Sequence, residues 1–186
     1  MSEKSAKKIR TADLALCALF VALSAVFSWI SIPVGPVPIN LALIAVFTAG
    51  GLLGTLWGTI SELTFVLLGL TGLPVFAGFT GGPGRLAGPT GGYILAYIIC
   101  AFVVGFICEK FGRKIIALIP AMILGLALCY LFGSAWFMIS SKANLAATLS
   151  TCVLPFVPGD ALKIALSVIL VNRLEPVLEK ARRSGR

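Results

Sequence analysis

Between Asp13 and Glu62 the chain runs 48 residues, Leu14 to Ser61, without a charged side chain. Three further uncharged runs follow, of 22 residues (Leu63 to Gly84), 23 (Leu86 to Cys108) and 27 (Ile115 to Ser141). Each reaches the ~20 residues that carry a helix across the hydrocarbon core of a bilayer. Only 12% of the 186 residues are charged and 59% are apolar, where a water-soluble domain carries about 25% charged residues. A chain this short has no interior large enough to hide that surface from water. The expected fold class is an all-α integral membrane protein, a bundle of six transmembrane helices with a Gly-rich extracellular or re-entrant loop between the third and fourth.

Composition also excludes functions. With no histidine, Ser-His triads, histidine metal sites and histidine proton relays are absent. No GxxxxGK[ST] phosphate loop occurs, so the chain does not hydrolyse ATP through that device. Cys17, Cys100, Cys108, Cys129 and Cys152 are scattered through apolar stretches without a CxxC pair, which points to buried thiols and not to disulfides or a metal site. No nucleophile–base pair can be assembled, so no catalytic residue, metal or cofactor is expected, and the chain is not read as an enzyme. The net charge of +8 comes from basic residues clustered at the two ends and in one short loop. That placement fits an anionic membrane leaflet and no nucleic acid.

The expected spans are Ala12–Ile32, Ile39–Leu56, Gly58–Leu73, Gly92–Cys108, Lys114–Ile139, and Gly159 or Asp160 to Leu174. Pro33 to Pro38 ends the first, and Gly54 and Gly58 permit a tight reversal between the second and third. Leu14 to Ile32 is too long for a signal-peptide core and no Ala-x-Ala site follows, so it is read as a retained span. A single domain over 1–186 follows, with basic tails at 1–11 and 175–186 and six helices within about 12–174. Six spans place Lys4, Lys7, Lys8 and Arg10, Lys110, Arg113 and Lys114, and Arg173, Lys180, Arg182, Arg183 and Arg186 on one side. These are twelve of the fifteen basic residues, which makes both termini cytoplasmic in a multi-pass plasma-membrane protein.

Three places hold chemistry. The outward segment Gly72 to Gly92 contains eight of the twenty glycines and three of the ten prolines, yet is apolar enough for membrane depth, where irregular backbone is tolerated only if protein buries it or it lines a cavity. Arg85 within it either pairs with a ligand carboxylate or points to external water. In VPGDALKIAL, from Val157 to Leu166, Asp160 takes a helix N-cap position and Lys163 projects from the same face three residues on. Charges inside a span usually face a cavity, and this pair complements a neutral polar group such as a urea or amide. A stripe of Ala15, Ala18, Ala22 and Ala25 marks a face where another helix can approach closely. Glu62 is expected near the cytoplasmic surface, snorkelling, with no ligand role.

PVPINLA at Pro36 to Ala42, GLPVFAG with GPTGGY (Gly88 to Tyr93), and PGDALK at Pro158 to Lys163 resemble BioY, the biotin-specific substrate-binding (S) component of energy-coupling factor (ECF) transporters. The resemblance implies capture of biotin from outside, with import driven by an ECF transmembrane coupling protein and two cytoplasmic ATPases. It implies that biotin lies beneath the Gly72 to Gly92 segment, with Asp160 and Lys163 at its ureido group, or Lys163 at its carboxylate. Phe76 and Tyr93 would then cover the rings, with Asn40, Arg85 and the backbone at Gly81 and Gly82 completing the polar set. An AxxxA feature in the family matches Ala18 and Ala22 and implies docking of the coupling protein. Alternatives are an S component for another vitamin and a self-sufficient secondary transporter coupled through Asp160 or Glu62.

Overall fold

A computed structural model describes residues 11–184; Lys4, Lys7, Lys8, Arg10 and Arg186 lie outside them. The order is α1 (Thr11–Trp29), a two-residue hairpin of β1 (Ser31–Ile32) and β2 (Ile39–Asn40), α2 (Ala42–Leu70), α3 (Pro83–Ala87), α4 (Gly91–Phe111), α5 (Ile115–Ser141), α6 (Leu145–Cys152) and α7 (Val157–Ser184). The hairpin pairs Ser31 with Asn40 and Ile32 with Ile39, so the proline cluster becomes its loop. Among the described residues, four helices are long and apolar enough to cross a membrane, or five when α6 and α7, bent by 50°, count as one broken span.

Seven helices among the described residues stand where six were expected. α3 and α6 are extra short elements inside expected loops, and the second and third expected spans share the one helix α2. The α6 segment was missed because its start depends on one contact, Asn144 Oδ1 accepting from Ala147 N at 2.8 Å, an N-cap in an otherwise loop-like stretch. α7 also runs past Leu174, through Pro176, to Ser184, so the expected C-terminal tail is mostly helix.

α2 is broken at Gly54, whose φ of 80° and ψ of −171° belong to a region essentially restricted to glycine. The chain folds back there. A Cβ on Gly58 would lie 3.0 Å from Ala49 O and from Gly50 Cα, and Leu43 and Phe65 line one cavity although a straight helix would hold them about 33 Å apart. The first half of this hairpin, Ala42 to Gly54, is buried throughout, as expected of a helix apolar on every side. α4 and α1 pack most extensively on α2. Close approach to α4 depends on Gly105, where a Cβ would meet Gly54 C at 2.6 Å, the small-residue packing that membrane helices favour. Leu14, Leu19, Val26, Phe102, Phe106, Ile123, Leu131 and Ile169 are exposed on the outside of the bundle.

The reversal end carries a polar cluster absent from the sequence-based expectations. Glu109 Oε1 accepts from Thr55 N at 3.0 Å and Oε2 from Thr55 Oγ1 at 2.7 Å, capping the helix that restarts after Gly54. Arg113 Nε donates to Gly51 O at 2.6 Å, and Arg113 Nη1 reaches Glu175 Oε1 at 3.3 Å. Glu62 departs from its expected position. It is fully buried and accepts from Ser24 Oγ at 2.9 Å, because the reversal carries its helix against α1 and turns the carboxyl inward.

Candidate functional site

At the opposite end, α1, α2, α4, α5 and α7 converge beneath the segment between α2 and α4. That segment is a folded cap. Phe76 and Thr80 bridge across a turn, and Trp29 holds its first part by donating to Pro74 O at 2.8 Å and stacking on Phe79 at 5.0 Å. Trp136 of α5 fastens the far part, donating to Gly88 O at 3.0 Å. These bonds satisfy backbone carbonyls that would otherwise be costly at membrane depth.

Below the cap lies a cavity whose open space, counted to its mouth and including solvent, is about 650 Å³. Its walls are mostly apolar and aromatic, with Phe65, Ile94, Tyr97 and Phe156 among them. Among its polar groups are Asn40 from β2, Arg85 from α3, Tyr93 from α4, Tyr130 from α5, and Asp160 and Lys163 from α7.

Asp160 lies in the first turn of α7, the favoured end of the helix for a carboxylate. It is 1% exposed and Lys163 5%, and Lys163 Nζ donates to Asp160 Oδ1 at 2.7 Å. Tyr130 donates its hydroxyl to Asp160 Oδ2. Tyr93 Oη lies 3.1 Å from Ser134 Oγ, and its ring packs on Gly133, where any Cβ would strike it. Asn40 Oδ1 accepts from Ala42 N at 3.1 Å, which orients its amide at the start of α2. Arg85 Nε and Thr90 Oγ1 are buried without a protein partner and both line the cavity. Orphaned polar atoms of this kind call for an explanation, such as a ligand or ordered water.

The structure thus gathers Asn40, Arg85, Tyr93, Asp160 and Lys163 around one space. It does not bring Phe76, Gly81 or Gly82 there. Phe76 is 1% exposed and packs edge-on against Phe65. Gly82 N donates to Gly69 O at 2.7 Å, and a Cβ on Gly81 would strike the Leu73 carbonyl, so both positions serve close packing within the cap. Tyr130, Tyr97 and Thr90 are cavity residues that sequence reasoning missed. Each sits in a mostly apolar helix or segment, and only packing shows which way it faces. On α1, Ala15, Ala18 and Ala22 are exposed, whereas Ala25 turns into the core, so the alanine stripe is split.

The family model described as "BioY family" matches residues 1–180. A probable biotin transporter BioY of Pyrococcus horikoshii is 40% identical over 90% of this chain and 98% of its own length. The biotin transporter BioY of Thermotoga maritima is 39% identical over 84% and 92% respectively. Among solved structures, the S-component for biotin from an ECF-type ABC transporter superposes with a TM-score of 0.84 at 33% identity, covering 91% of this chain and 95% of that one. FolT bound with folic acid superposes with a TM-score of 0.60 at 19% identity, covering 86% and 89%, a likeness of fold alone.

Proposed function

Because the chain belongs to the BioY family, we propose that it captures biotin in the capped cavity, as the substrate-specific subunit of an ECF-type importer. One observation carries the assignment most directly: a buried Asp160–Lys163 pair faces a mostly apolar cavity whose Arg85 and Thr90 still lack partners. Biotin has a matching pattern of polar ureido edge, apolar bicyclic body and carboxylate tail. The ureido group meets Asp160 and Lys163, with the amide of Asn40 beside them. Tyr93 borders the rings, and Arg85, carried by the cap, takes the carboxylate through charge-assisted bonds.

The bundle crosses the membrane six times in this reading, with the two halves of α2 as separate spans and the bent α6–α7 pair as one. Both termini are cytoplasmic, in keeping with the basic residues at that end. One S-component domain makes up the chain. Ala18 and Ala22, exposed on α1, form the face against which a transmembrane coupling protein packs, and two ATPases bound to that protein supply the energy.

Equilibrium binding of labelled biotin to the purified chain in detergent tests the capture role. One-to-one binding that Lys163→Ala weakens and Lys142→Ala leaves unchanged is expected, since Lys142 is exposed at the end of α5. Equal affinities for these two variants would remove the pocket assignment, and a folded sample that prefers riboflavin or thiamine would remove biotin. Ala22→Leu should keep biotin affinity within about twofold while abolishing ATP-dependent uptake in proteoliposomes containing the partners. Uptake of normal rate by that variant would remove the docking role of α1.

A further inference from the structure

The polar end of the cavity has a third member. Tyr130 lies at the wall between the cavity and a shallow apolar groove formed by α5 and α6, bordering both. Its hydroxyl donates to Asp160 Oδ2 while Lys163 Nζ donates to Oδ1. A phenol has one proton. With that proton committed to Asp160, the Tyr130 oxygen offers a ligand lone pairs only. The Asp160 carboxylate keeps roughly two of its four acceptor sites, and Lys163 keeps two of its about three ammonium protons. Two acceptors from two different helices therefore stand beside one donor. The next hydroxyl on this face of α5, Ser134, is engaged with Tyr93 at 3.1 Å and does not duplicate Tyr130.

A cyclic urea presents the converse edge, two N–H donors flanking one carbonyl acceptor. We propose that Tyr130 is a specificity-determining contact residue that accepts one ureido N–H through its phenol oxygen. Asp160 accepts the other N–H, and Lys163 donates to the ureido oxygen. The inference rests on the biotin-capture function above and adds a selection rule to it. A ligand with an oxygen acceptor where biotin has that N–H sets lone pair against lone pair at Tyr130, and a ligand with CH₂ there leaves the buried phenol oxygen unpaired, which is costly in either case.

The test uses the full chain in detergent with biotin and two lactam analogues, each carrying CH₂ in place of one or the other ureido N–H, a near-isosteric change. Wild type is expected to bind both lactams about tenfold more weakly than biotin, the effect of one buried hydrogen bond. Tyr130→Phe is expected to bind biotin about tenfold more weakly than wild type. In this variant the penalty for one lactam disappears and that for the other persists, because Asp160 still reads its position. Unchanged biotin affinity in Tyr130→Phe, or undiminished penalties for both lactams, overturns the assignment. If Tyr130→Phe does not fold, wild type decides: two weakened lactams support two acceptors, and a lactam that binds as tightly as biotin overturns the second. Wild type that binds no biotin at all overturns the capture function itself, a result distinct from every outcome that compares variants.

Discussion

Asp160 and Lys163 lie three residues apart on one helix, almost wholly buried, with hydrogen-bonding capacity left over toward a cavity. At the other end of the bundle, Glu109 comes from α4, Arg113 from the α4–α5 connection and Glu175 from α7, and their bonds go to this protein's own backbone and side chains. Both clusters set acid and base in an apolar chain. The difference lies in what each faces: the Asp160–Lys163 pair lines an open cavity, whereas the reversal cluster bonds to the broken helix α2. Burial follows the same division, since the Arg113 and Glu175 side chains are 22% and 28% exposed. A surface-type pair of that kind contributes little on its own.

Substitutions at the two ends should therefore separate binding from folding. The largest effect is expected from Asp160→Asn, which leaves Lys163 without its carboxylate and weakens biotin binding about a hundredfold, in line with ~3 kcal/mol for a hydrogen bond to a charged group. Calorimetric titration measures it, and a change below threefold would end the distinction at its cavity side. Gly54→Ala comes next. Its φ of 80° and the Glu109 carboxyl that a new Cβ would strike should cost about 1–3 kcal/mol of stability. Thermal unfolding in detergent reads that loss, while biotin affinity of the folded fraction stays within about twofold. If Gly54→Ala instead weakens binding as Asp160→Asn does, the two ends are not independent. Glu109→Ala removes the cap on Thr55 and should cost ~1 kcal/mol, again with unchanged affinity. Glu175→Gln should be smallest, below about 1 kcal/mol.

The legible parts of the fold were those with a local cause. Uncharged runs at bilayer length marked α1, α4 and α5, and Gly54 marked the reversal, because a break there depends on one residue's backbone freedom. Asp160 and Lys163 were legible as a pair because helical spacing alone puts positions three apart on one face. Other elements depended on distant partners. The glycine-rich segment looked like a source of backbone donors for a ligand, but Gly69 takes the Gly82 N–H and the cap uses this backbone to hold itself together. Glu62 looked like a snorkelling acid and is instead buried against Ser24, since it faces whatever helix the reversal brings alongside.

By itself the sequence determined that this chain lives in a membrane, that it reverses at Gly54, and that one acid–base pair shares a helix face. All three follow from properties of single residues or of neighbours a turn apart. Which polar side chains meet was decided only by the tertiary structure: Arg85 and Thr90 under the cap, Tyr130 on Asp160, Arg113 between α2 and α7. A helix sets the direction of each side chain about its own axis. What lies in that direction depends on how helices from distant parts of the chain pack, and in an apolar bundle that packing is set by close contacts at residues such as Gly105 and Gly133, which carry no polar signal of their own.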